Sequence, residues 1–187
     1  MGYEEDLGYV QAALGQLRDY LLSEQLFGPL SISPPSGGEY PYLTLGGLLL
    51  AMKRLEAWST AQAHAVALQK IENELETLQT RWRVAWGRKA SWEFRSRLKQ
   101  WETYLNEYRQ QPEKQAPYYR SEVRWRVILE LLRPSASELE PAYLEMLGGL
   151  DLILKSYLQG DRFTWQAGLR NAFPPQRFWF LYGQLPD

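Results

Sequence analysis

Cysteine is absent from this chain and histidine occurs once, as His64. The first absence excludes disulfides, thiolate nucleophiles and thiolate metal sites. The second leaves a Ser-His-Asp arrangement with one candidate base, and no Gly-x-Ser-x-Gly turn exists to display the serine. His64 falls on an apolar helical seam, where a neutral, hydrogen-bonded imidazole is the expected role. No Glu-x-x-His pair of the kind used by di-iron bundles occurs, and Glu72, Glu74 and Glu76, two residues apart, fan around a helix. The glycine-rich Ser36-Gly37-Gly38-Glu39 lacks the Lys-Ser/Thr that completes a phosphate-cradling loop. These absences predict a protein that is not an enzyme and holds no metal or cofactor.

Long hydrophobic runs are also missing. Leu43–Met52 is the longest, ten residues interrupted by Gly46 and Gly47, where a membrane-crossing helix needs about twenty. The start, Met1-Gly2-Tyr3-Glu4-Glu5-Asp6, is acidic where a secretory leader is basic. A soluble cytoplasmic protein is expected. Sustained period-2 alternation bounded by Asn-Gly or Asp-Gly is lacking, so no strand is predicted.

Aromatic side chains, by contrast, are plentiful: eight Trp, twelve Tyr and six Phe among 187 residues. Each buries a large area, so they supply much of the core. Charge is uneven along the chain. Residues 1–80 carry a net −6, residues 81–133 a net +7 and residues 134–187 a net −2, giving the overall −1. Such segregation marks either a surface for an anionic partner or a bundle whose helices pair their charges internally.

Helical periodicity recurs throughout, predicting an all-α antiparallel bundle of about six helices in one domain, 1–187. Leu7, Val10, Leu14, Leu17 and Leu21 define a helix over about 3–26. A Pro/Gly/Ser-rich loop follows over about 27–43. Thr44 caps a long helix around 44–87, about 65 Å if unbroken, with Ser59-Thr60 as the place for a break. Gly87 and Ser91 read as a turn and a new cap. Phe94, Leu98, Trp101, Leu105 and Tyr108 then mark a helix that ends before Pro112. The helix after Pro117 is broadly apolar and reads as central, touched from more than one side. Ser135/Glu138 and Ser137/Glu140 are possible capping boxes ahead of Pro141, and Gly160-Asp161 precedes a short helix over about 162–172. The terminal Phe178-Trp179-Phe180-Leu181-Tyr182 is expected to dock onto the bundle.

Two candidate surfaces emerge. Arg83, Arg88, Lys89, Arg95 and Arg97 lie in the basic middle with Trp86 and Trp92, the two tryptophans off the apolar seams. Cations that grip phosphates beside aromatics that stack bases suit an anionic partner, including nucleic acid bound over 81–126. Arg120, Arg124 and Arg126 add charge from the next helix. Pairing with Glu72, Glu74 and Glu76 would cancel this field. In the loop, Glu39, Tyr40 and Tyr42 flank Pro41 as a candidate recognition element. Macromolecular binding as an adaptor or accessory subunit, with a protein partner, is the leading expectation. Nucleic-acid binding is the second, and an apolar small molecule held by the bundle the third.

Overall fold

The helix predicted at the N-terminus forms as α1 (Tyr3–Leu22) in the computed structural model, which describes residues 2–35, 37–59 and 62–186. Glu4, Glu5 and Asp6 in its first turn suit the positive end of the helix dipole, and the Glu5 carboxylate accepts from the Gly2 N–H at 3.0 Å. Its apolar stripe, Tyr9, Val10, Ala13, Leu14 and Leu17, is buried.

Residues 44–87 do not make one helix. They divide into α2 (Leu45–Trp58), α3 (Gln62–Arg81) and the start of α4 (Arg83–Gln110). The first break falls at Ser59, and the Thr60 half of the expected cap lies outside the described residues, as does Ser36 of the loop. The second is a single residue, Trp82, whose φ of −111° and ψ of 30° leave the helical region. Thr44 does cap α2, its Oγ1 accepting from Gly47 N at 3.0 Å.

The turn expected at Gly87–Ser91 is not there, because α4 runs straight through it. Gly87 is small for packing: a Cβ would stand 2.2 Å from the Ser137 hydroxyl. Ser91 donates to the Gly87 carbonyl at 2.8 Å and accepts from Glu138 N at 3.0 Å. Both residues read as punctuation; they are where the 135–138 segment docks on α4. The two capping boxes predicted there do not form, since Ser135 lies in a 3-10 turn and Glu140 is the N-cap of α7 (Pro141–Tyr157).

After a short α5 (Pro112–Gln115), α6 (Tyr119–Leu132) packs most extensively on α4 and also on α2. This is the central helix that its broad apolar face predicted. Beyond α7 the chain departs from the all-helical expectation. Gln159–Phe163 is a strand, β1, paired antiparallel with β2 (Tyr182–Gln184). Four of the five β1 residues are exposed, so no alternation betrays it. Gly160, expected to stop a helix, adopts φ +76° inside the strand, a conformation suited to glycine. Only a 3-10 segment, Ala167–Ala172, stands for the helix predicted over 162–172, and α8 (Pro175–Phe178) leads into the tail. That tail docks as expected: Phe178, Phe180 and Leu181 are fully buried. The Tyr119 hydroxyl donates to the Phe180 carbonyl, and Tyr108 to that of Pro186 at 2.9 Å. The architecture is thus an all-α bundle with one small two-stranded addition. Among the described residues, no helix is long and apolar enough to cross a membrane.

Candidate cationic interface

α4 carries all seven basic-middle candidates, and helical geometry sorts them. Positions 88, 92, 95 and 99 follow one another at steps of three or four and share a face, whereas 89, 93 and 97 share a neighbouring one. The first face is open. Arg88 and Lys99 are exposed, Trp92 is 39% exposed, and Arg95 is half-buried with its guanidinium 5.9 Å from the Tyr143 ring. From Arg88 to Lys99 the stripe extends about 16 Å. Among the described residues none of these three cations forms an ion pair with a carboxylate. Arg83, also exposed, lies a turn and more before the stripe, off its line.

The second face is closed, and it removes three candidates from any interface. Lys89 is 3% exposed, and its ammonium donates to the Ser23 carbonyl at 2.8 Å and the Gln25 carbonyl at 2.7 Å. It thereby serves the carbonyl-rich end of α1. Burial lowers its pKa, and the Arg88 charge lowers it further. Arg97 is 5% exposed. Its Nε lies 3.1 Å from Oε1 of Glu93, a fully buried carboxylate, and its Nη1 donates to Gln100 at 3.0 Å. The Phe27 and Trp125 rings lie 5.2 and 4.6 Å from the guanidinium. Trp86, which the expected turn would have exposed, is 2% exposed because no turn exists and its position faces the core.

Glu93 also accepts from Gly46 N at 2.8 Å, so one carboxylate serves the first turn of α2 and an arginine of its own helix. A Cβ on Gly46 would lie 2.8 Å from that carboxylate and 2.3 Å from Ile128. The close approach of α2 to α4 and α6 therefore requires glycine here. The phenols of Tyr9 and Tyr20 have raised pKa values, chiefly through burial, with the Glu93 charge contributing.

Charge pairing across the bundle is real but uses other acids than those expected. Arg126 makes a bidentate pair with Asp151 at 2.8 and 2.9 Å and reaches Glu130 at 3.2 Å. Arg54 is held by buried Asp6 at 2.9 Å. Glu72, Glu74 and Glu76 take no part in an ion pair among the described residues. Acids do fringe the open stripe. Glu24 shares with Arg88 and Trp92 a hollow of about 260 Å³ beside the end of α1. Lys99 shares with Glu107 and Glu122 a groove of about 620 Å³ between α4 and α6.

The loop candidates also separate. Gly28 and Leu43 exchange backbone hydrogen bonds of 3.0 and 2.7 Å that close the loop's neck. Tyr40 is half-buried over Gly8 and meets Tyr9 edge-on at 6.1 Å, so its ring shapes the loop. Tyr42 is 63% exposed and Glu39 is exposed. Between loop and α1 lies a groove of about 620 Å³ walled by Leu7, Ile32, Pro34 and Pro35 with Glu4 and Glu5. His64 stacks on Tyr3 at 3.9 Å with Nδ1 3.3 Å from the Trp58 carbonyl. Lys99 belongs to the same basic segment, and its step of four from Arg95 places it on the stripe because α4 is continuous. No protein-family model matches the chain, nor does any curated protein or solved structure.

Proposed function

We propose that the protein is a non-enzymatic adaptor or accessory subunit of the cytoplasm that binds an acidic protein partner through the Arg88–Trp92–Arg95–Lys99 face of α4. The observation that carries this reading is a stripe of three cations that, among the described residues, have no carboxylate partner, around a large, partly exposed indole. Arginine and tryptophan are the side chains that most often anchor protein interfaces. The Lys89 ammonium lies 5.4 Å from the Trp92 ring, on a helix packed against α1, which limits the side-chain entropy lost on binding.

The fringe of acids favours a protein over a nucleic acid. A phosphate backbone is uniformly negative, and Glu24 at one end of the stripe with Glu107 and Glu122 at the other would repel it. Loss of Lys89 and Arg97 to the interior thins the cationic field further.

Fluorescence anisotropy with a labelled Glu/Leu-rich peptide and with labelled single- and double-stranded RNA and DNA, at low and moderate salt, tests the proposal. Wild type should bind the peptide, and an Arg88/Arg95/Lys99→Ala variant of unchanged helicity should not. Equal peptide binding by both proteins would overturn the assignment of the surface. Tighter, steeply salt-dependent binding of nucleic acid, lost in the same variant, would replace the protein partner with a polyanion.

A further inference from the structure

α6 begins with two arginines one turn apart, Arg120 and Arg124, and both are exposed. Like charges at this spacing disfavour the helix that holds them. The tertiary structure adds a third: Arg54, from α2, lines the same groove of about 260 Å³, with Ser121, Trp165 and Leu169. Arg54 is held by Asp6, whose buried carboxylate accepts from both its Nε, at 2.9 Å, and its Nη2. Arg120 and Arg124 have no ion pair among the described residues. The nearby Glu122 accepts from the Trp125 indole at 2.8 Å.

The other wall is also fixed in place. Trp165 Nε1 donates to the Arg120 carbonyl at 3.0 Å, and its ring meets Phe173 edge-on at 5.2 Å. Arg124 lies 4.1 Å from the Trp125 ring, which Arg97 approaches at 4.6 Å. Partial enclosure lowers the Arg124 pKa, Glu122 opposes this, and the Arg97 charge lowers it further. The groove thus concentrates positive charge beyond what Asp6 neutralises, next to an indole and Leu169.

We propose that this groove binds a phosphomonoester, its terminal oxygens shared among Arg120, Arg124 and Arg54 and its organic part laid against Trp165. A carboxylate matches one guanidinium fork, whereas a phosphomonoester presents three terminal oxygens to donors arriving from two helices. This site shares no residue with the α4 stripe and does not depend on it.

Calorimetric titration at constant ionic strength with phenyl phosphate, inorganic phosphate and benzoate tests the assignment. Phenyl phosphate should bind most tightly. Arg120→Gln and Arg124→Gln, both at exposed positions and checked by circular dichroism, should each weaken it about tenfold or more. Trp165→Phe should shrink the advantage of phenyl phosphate over inorganic phosphate. The Arg88/Arg95/Lys99→Ala variant should bind phenyl phosphate like wild type, which keeps this result separate from the fate of the α4 surface. Cosedimentation with phosphatidate-containing vesicles, lost in the Gln variants, would assign the phosphate to a lipid headgroup, and binding of phenyl phosphate alone would assign it to a soluble ligand. No saturable binding of phenyl phosphate at millimolar concentration would overturn the proposal. So would benzoate binding equally well, or affinity undiminished in both Gln variants.

Discussion

Two faces of α4, offset by one residue, treat the same kind of side chain in opposite ways. Lys89 and Arg97 lie on the face that also bears Glu93, and there each cation is desolvated, hydrogen-bonded and built into the bundle. Arg88, Arg95 and Lys99 lie on the next face, without carboxylate partners among the described residues. The difference is one of neighbours. The closed face meets the end of α1, the first turn of α2 and the Trp125 ring, which present carbonyls, an N–H and an aromatic surface. The open face meets solvent, the Tyr143 ring and a fringe of acids. A charge on this helix is therefore structural or available for binding according to a rotation of about 100°.

The largest effect should come from the closed face. Arg97→Ala leaves the Glu93 carboxylate buried with, among the described residues, Gly46 N as its one remaining partner, and should cost about 3–5 kcal/mol of stability in urea denaturation. A loss below about 1 kcal/mol would show that the pair is solvated, against its structural role. Lys89→Met removes the donor to the Ser23 and Gln25 carbonyls and should cost about 1–3 kcal/mol, with the loss confined to fraying of the end of α1 in hydrogen exchange.

A pH effect of the same origin should follow. Burial raises the pKa values of Tyr9, Tyr20, Tyr104 and Tyr119 above the ordinary phenol value of 10.0. The unfolded chain then loses these protons first as pH rises, so stability is complete below pH 10 and falls above it. Lys89 acts in the opposite sense, because its lowered pKa makes the folded state lose its proton before the unfolded chain does, near 10.5. Denaturation midpoints followed with tyrosinate absorbance should decline from about pH 10 upward, and more steeply in Lys89→Met. The smallest effect belongs to the open face: Arg88→Ala and Arg95→Ala should each change stability by no more than about 0.5 kcal/mol. A larger loss in either would mean that the face is part of the fold.

How far the sequence could be read depends on which signal each residue carries. Periodicity located α1, the Leu68–Leu78 seam and the central α6, because a buried stripe at steps of three and four has no other common explanation. Gly87 and Ser91 misled, since a glycine that admits a neighbouring segment looks identical to one that ends a helix. β1 left no pattern because it is short and four of its five residues face solvent. Of the site, Arg88, Trp92 and Arg95 were legible as basic and aromatic residues. That Lys89 and Arg97 would be buried was not, because the carbonyls that hold Lys89 are 64 and 66 residues away and Arg97 is held by a carboxylate whose burial is tertiary. Arg54 was invisible as a companion of Arg120 and Arg124, lying in the acidic first part of the chain.

The sequence by itself determined that this is a helical protein with an aromatic core and a docked tail, because apolar spacing and the cost of exposing Phe178–Tyr182 leave few alternatives. Only the tertiary structure decided which charges remain available. Ion pairing and burial depend on which distant groups come within a few ångströms of one another, and nothing in the local sequence of an arginine records its distant neighbours.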